Sequence, residues 1–281
     1  MVHTITTDIG KDRREPINGM TILGKELFVS HENKSVIEVY DLETFQFVRH
    51  WTIEGISQPM DIASCKIANC LYIIIREDSE SKSHIMKIDP KGQLIKNWST
   101  GGEHGRLSTY ESNVIVCIFE KQLINEFNGD GILIDTVNLS PAVGFNHPWH
   151  AIKVTNNHFA VCHGEAKDEL HRVCIVDYQG TIKRELSRWQ TGTGEGKLNV
   201  PICLVEDNSG RSILVADRDN KKIRHLNCSL QRKENLISGL DGCPVRVCLD
   251  ERKGRLFVAE NTLLLNKREW KDGRVLVFNI R

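Results

Sequence analysis

Prolines punctuate this chain at a nearly fixed interval. Pro16, Pro59, Pro148, Pro201 and Pro244 stand 43, 89, 53 and 43 residues apart, and each shortly precedes an apolar, strand-like segment. The interval of 89 holds two units, and that of 53 contains a glycine-rich insertion from Thr191 to Lys197. A period of about 43 to 45 residues is that of a propeller blade, a unit that cannot bury its apolar face alone and must stack on its neighbours. Such a repeat constrains the architecture more than length does, because 281 residues would serve one large domain or two ordinary ones.

Within each unit the same order recurs: an apolar segment, a polar turn, a strongly apolar strand, a loop, an alternating strand, a turn and a last strand. The second strands are read at Glu26 to Ser30, Cys70 to Ile75, Asn113 to Phe119, His158 to Cys162, Arg211 to Ala216 and Arg255 to Ala259. Six copies predict an all-β, six-bladed propeller of four-stranded antiparallel blades. The third and fourth strands enclose turns rich in Asp, Asn and Gly, such as Asp89-Pro90-Lys91-Gly92 and Asp177-Tyr178-Gln179-Gly180, residues that adopt left-handed backbone at low cost. Fourth strands end in Trp51, Trp98 and, slightly shifted, Trp189, large side chains suited to wedging between blades.

A ring of sheets must close or leave two exposed edges. The last unit stops after its third strand, Arg274 to Arg281, while an alternating segment, His3 to Ile9, precedes the first. The N-terminal segment is therefore expected to complete the last blade. On this reading residues 1–281 form a single domain with blades at approximately 16–57, 58–103, 104–146, 147–199, 200–242 and 243–281 plus 3–9.

Lysine plus arginine equals aspartate plus glutamate at 37 each, so the global basic field of many nucleic-acid binders is missing and only a local patch remains open. No apolar run resembles a signal peptide or reaches the roughly 18 residues of a membrane helix. The nine cysteines sit mostly in apolar runs such as Val116-Cys117-Ile118, and read as buried free thiols of a reducing, cytoplasmic compartment. The abrupt start is read as that of a piece of a longer protein, monomeric in isolation and without membrane contact.

The fifth unit, with Val200-Pro201-Ile202 and Ile213-Leu214-Val215-Ala216-Asp217-Arg218-Asp219-Asn220-Lys221-Lys222-Ile223-Arg224, resembles the NHL repeat consensus. So does Gly254-Arg255-Leu256-Phe257-Val258-Ala259-Glu260-Asn261 with Gly273-Arg274-Val275 in the sixth. The remaining units match more loosely, the third worst because it lacks the leading proline. The resemblance is to the six-bladed propellers of NHL-containing tripartite-motif (TRIM) ubiquitin ligases and their relatives. It implies recognition of protein or RNA by loops on one face, within a larger signalling or ubiquitin-ligase protein. Similar propellers also include lyases and esterases with a metal in the central channel, so fold does not fix function.

The loops between blades, and those between second and third strands, share one face, here called upper. The ligand-binding candidates expected there are His31, Arg76, His150, His163, His171, Arg218, Lys222 and Arg246. His147, His150, His163 and His171 gather at the upper end of the fourth unit with Cys162 nearby, which is zinc-ligand chemistry. They come from one blade, whereas channel metals draw on several, and their spacing fits no standard zinc signature, so neither metal nor other cofactor is expected. Arg218, Lys221, Lys222 and Arg224 offer phosphate contacts, with Trp149 a base-stacking surface if exposed, but Asp217 and Asp219 interleave. The glycine-rich segment fails as a phosphate loop on spacing and on the missing Ser or Thr after its lysine, and no Gly-x-Ser-x-Gly element occurs. The leading expectation is a non-catalytic module for a protein partner. Its rivals are single-stranded RNA binding and a metal-dependent propeller lyase or hydrolase.

Overall fold

The computed structural model describes residues 1–7, 15–32, 34–56, 58–76, 83–102, 105–139, 145–165, 170–186, 197–207, 212–264 and 269–280. Blade 1 comprises β2 (Ile17–Leu23), β3 (Glu26–His31), β4 (Val36–Asp41) and β5 (Phe47–Thr52). Blade 2 comprises β6 (Gln58–Cys65), β7 (Cys70–Arg76), β8 (Ser83–Ile88) and β9 (Leu94–Ser99), and blade 3 β10 (Gly105–Tyr110), β11 (Asn113–Ile118), β12 (Leu123–Phe127) and β13 (Leu133–Asn138). Blade 4 comprises β14 (Pro148–Thr155), β15 (His158–His163), β16 (Arg172–Asp177) and β17 (Ile182–Leu186), and blade 5 β18 (Pro201–Glu206), β19 (Ser212–Asp217), β20 (Lys222–Asn227) and β21 (Arg232–Ile237). Blade 6 runs β22 (Cys243–Asp250), β23 (Arg255–Leu264), β24 (Glu269–Asn279) and finally β1 (His3–Thr6).

The expected closure is present. β1 pairs antiparallel with β24, His3 opposite Val277 and Thr6 opposite Arg274, and Thr7 Oγ1 donates to Gly273 O at 3.0 Å. In the last blade the second and third strands go on pairing beyond a bulge at Glu260/Thr262, out to Leu264 opposite Glu269. A short 3-10 turn lies at Arg218–Asn220, and among the described residues no helix is long and apolar enough to cross a membrane.

Among the described residues six apolar clusters form, and most draw on two adjacent blades. Trp51 at the end of β5 packs with Ile62, Leu71, Ile73 and Met86 of blade 2, and Trp98 at the end of β9 packs on the cluster holding Val114, Val116 and Phe127 of blade 3. Glycine is required where they pack. A Cβ at Gly92 (φ +91°) would lie 2.1 Å from Trp51 Nε1, and one at Gly131 (φ +75°) 2.5 Å from Trp98 Cδ2. Both glycines sit in turns whose leading Asp89 or Asn128 accepts two backbone N–H bonds through its side chain, which is why Asp and Asn recur there. Trp189 and residues 191–196 of the glycine-rich segment lie outside the described residues.

Candidate functional site

The first strand of every blade borders the central channel, and a bulge sets what it presents there. In blades 1, 2, 4, 5 and 6 the pairing of first and second strands shifts immediately after the leading residue, between Ile17/Gly19, Pro59/Asp61, Pro148/His150, Pro201/Cys203 and Pro244/Arg246. A bulge inserts one residue and re-aims those that follow. Here it brings Asp61, His150, Cys203 and Arg246, each two positions after a proline, to the channel wall. Blade 3, which lacks the proline, pairs β10 with β11 without a shift.

These residues engage one another near the upper end of the channel. Arg246 Nε donates to Asp61 Oδ1 at 2.9 Å, its Nη1 to Val245 O at 2.7 Å, and Asp61 Oδ2 accepts from Leu107 N at 2.9 Å. His150 receives Leu204 N–H on Nδ1 at 3.2 Å and meets Leu107 O through Nε2 at 3.0 Å. That pattern requires a neutral ring protonated on Nε2, and burial accordingly pushes the pKa of His150 down. Arg106 donates to Asn18 O and Met60 O at 2.9 and 3.0 Å, tying three blades together.

Below this network the channel holds a cavity of about 500 Å³ bordered by all six first strands. Hydroxyls stitch its wall: Thr21 to Ser64 Oγ, Thr109 to Ser64 O and Ser108 to Ala151 O. Lys66, Glu111, Glu206, Asp207 and Glu251, which lie in or beside the turns between first and second strands, line its lower mouth. Glu206 is pushed up to about 7 by burial and then by the neighbouring Asp207, so near neutral pH it can both take and give a proton. Lys153 also lines the cavity but is bound into the blade 3–blade 4 seam. Its Nζ donates to both Glu126 oxygens and to the Tyr178 hydroxyl at 2.7–2.8 Å, and Asn113 donates to Glu126 as well. Burial works against charge on Glu126, yet these bonds hold its carboxyl below the usual range.

The sequence-derived candidates separate on this geometry. His150 and Arg246 come together at the channel, not on an outer loop. His31 is fully buried, with Nε2 3.1 Å from Glu38 Oε2 and Nδ1 3.2 Å from Glu15 O. His163 is fully buried, accepts Arg172 Nε–H at 3.0 Å on Nε2 and lies 4.9 Å from the Phe145 ring. Burial, and then the Arg172 charge, push it down to about 3. His171 is buried, receiving Val200 N–H on Nδ1 and meeting Glu165 O through Nε2. Arg76, Arg218 and Lys222 are half-buried on the upper side, Arg218 paired with Asp219 at 2.7 Å. Of the four histidines expected to cluster, His150, His163 and His171 are thus taken up by hydrogen bonds and His147 Nε2 lies 3.7 Å from Glu165 Oε2, and among the described residues no three His, Cys, Asp or Glu side chains group as a metal site would require. Asp61 and Glu206 were missed. The signal for Asp61 was its place two residues after a proline, shared with His150 and Arg246.

No family model matches the chain and no curated protein matches it. Among solved structures, a protein of unknown function from Bacteroides caccae is similar, with a TM-score of 0.64 and 14% identity over 91% of this chain and 90% of the other. Kuenenia stuttgartiensis hydrazine synthase is similar at a TM-score of 0.62 and 14% identity, covering 97% of each chain. At such identity the likeness is one of fold, the six-bladed propeller.

Proposed function

We propose that the chain is a non-catalytic recognition module of NHL type, part of a larger protein, that holds a protein partner with the loops of its upper face. The supporting observation is how several cations of that face are engaged among the described residues. Arg218 pairs with Asp219, Arg274 with Glu260 and Asp241, and Lys34 with Glu15. Lys221 and Lys121 donate to the carbonyls of Asp241 and Gly101, while Arg224 is buried against Asp217. Single-stranded RNA requires a connected run of cations for successive phosphates, each contact adding roughly 0.7 to the salt slope. A face of matched, alternating charge suits the polar rim of a protein interface better. Trp149, packed 5.4 Å from Phe119 and donating Nε1–H to Gly164 O, supplies a partly exposed aromatic centre of the kind that anchors such interfaces.

The test places a photo-crosslinking residue at Glu120 or Lys121 on the upper face and, as control, at Ile67 on the lower. The same partner captured from both upper positions and not from Ile67 supports the reading. In parallel, selection from a random RNA pool at physiological salt is expected to return no enriched motif. One motif bound with submicromolar affinity, and lost in Arg218→Glu with Lys222→Glu, overturns the protein reading in favour of RNA.

A further inference from the structure

We infer that Cys65 and Cys70 form a reversible modification site, a dithiol–disulfide couple across the β6–β7 hairpin that reacts with a hydroperoxide. The two residues are directly opposed in the antiparallel ladder and close its last rung. Opposed residues of such a pair have Cα atoms about 4.5–5.5 Å apart with side chains on the same face, inside the roughly 4.4–6.8 Å that a disulfide spans. Both side chains belong to one apolar cluster.

All nine cysteines are free and eight are buried, so proximity alone does not single out this pair. Its place in the ladder does. Residues 66–69 of the connecting turn are all exposed, Ile67 at 72%, and Asn69 adopts a left-handed φ of 45°. Opening one terminal rung admits a small oxidant without disturbing the blade, and local openings of this kind are the least costly in a folded protein. Cys162 and Cys203, also near each other, lie on strands of different blades, where access would require separating two sheets.

The chemistry balances with the peroxide as sole oxidant. The thiolate of Cys65, next to the channel-lining Lys66, attacks the terminal peroxide oxygen; the O–O bond breaks, and water or an alcohol leaves with a proton. The resulting sulfenic acid is attacked by the Cys70 sulfur, which forms the S–S bond and expels the hydroxyl as water with the Cys70 proton. Two electrons pass from the dithiol to the peroxide. The reduced Cys65 thiol donates to Glu111 O at 3.2 Å, a bond from blade 2 to blade 3 at the cavity mouth. Oxidation therefore removes one inter-blade contact there while stapling the hairpin, and a reducing thiol restores it.

Trypsin offers a direct readout, because it cuts after Lys66 and separates the peptide of residues 50–66 from that of 67–76. The folded chain, carrying Cys228→Ser to remove its exposed thiol, is treated with hydrogen peroxide, denatured in the presence of an alkylating reagent and digested. The expected product is the two peptides joined, two hydrogens lighter than their sum, and released by dithiothreitol. In a second variant, Cys70→Ser, the Cys65 sulfenic acid has no resolving thiol and dimedone labelling of Cys65 should rise at least tenfold. The inference is overturned if both peptides remain fully alkylated at peroxide doses that oxidise Cys228 in the unsubstituted chain. It is equally overturned if Cys65 becomes sulfinic acid without cross-linking, or if Cys162–Cys203 forms in its place. Should the serine variant not fold, the peptide masses decide alone.

Discussion

The two ends of the central channel are built from the same strands and residue types but differ in what those residues do. At the upper end Asp61 and Arg246 pair with each other and His150 with backbone groups, Arg246 Nη2 alone of the guanidinium nitrogens being buried without a hydrogen-bond partner, and Asp61 and Arg246 are each no more than 4% exposed on their side chains. At the lower mouth Glu111, Glu206, Asp207 and Glu251 stand around a cavity with Lys66, and one of them is held near neutrality in pKa. A charged residue facing a channel is thus no sign of function by itself. The informative quantity is whether its partners already lie inside the fold.

Breaking the upper network should have the largest effect. Arg246→Ala leaves the Asp61 carboxylate buried without its counter-charge, a change worth about 3–5 kcal/mol, so the melting temperature should fall by at least about 6 °C. An unchanged melting curve would show that the upper end is no more structural than the lower. Replacing the pair together, Asp61→Leu with Arg246→Met, should recover most of that loss, since no charge is left buried and the groups that lose a partner, Leu107 N–H and Val245 O, are neutral. His150→Phe strands Leu107 O and Leu204 N–H and should cost about 1–3 kcal/mol, measurable by denaturant titration.

The smallest effect, and the sharpest contrast, lies in pH dependence. Burial lowers the folded pKa of His150, so the native state binds fewer protons than the unfolded chain, and stability falls as pH drops below 6.5. Glu206 runs the other way. Its folded pKa is raised from 4.5 to about 7, so the native state holds the extra proton, and stability is lost as pH rises through that window. Glu206→Gln should therefore leave the melting temperature unchanged at pH 4 and raise it at pH 8 by a few °C, solvent screening at this partly exposed side chain reducing the effect of the shift. A fall at pH 8 instead would mean that the mouth carboxylate is ionised and favourably paired.

Much of the architecture was legible because it is written locally. The prolines mark first strands, Asp or Asn opens the turns between third and fourth strands, and the unpaired third strand at the C-terminus predicted closure by His3 to Ile9. The bulges were not read from the sequence, although they track the same prolines: the unit without one is the unit whose first and second strands pair without a shift. Burial of charge was not, because it is decided by partners distant in sequence. Asp61 and Arg246 are 185 residues apart, and nothing around either announces the other. The histidines misled for a related reason. Their residue type suggests ligation, but in the fold Leu204 N, Val200 N and Arg172 Nε, all supplied by other strands or loops, take up nitrogens that a metal would need.

The closing strand has a mechanical consequence. Val2 N donates to Val277 O at 2.7 Å, and His3 lies opposite Val277, so both ends of the chain leave the ring from the same end of one strand pair. Tension applied between them would not shear β1 along β24, with all rungs resisting together. It would unzip the pair from His3 toward Thr6 one rung at a time, at low force, and open the ring at a single predetermined seam before any other blade bears load.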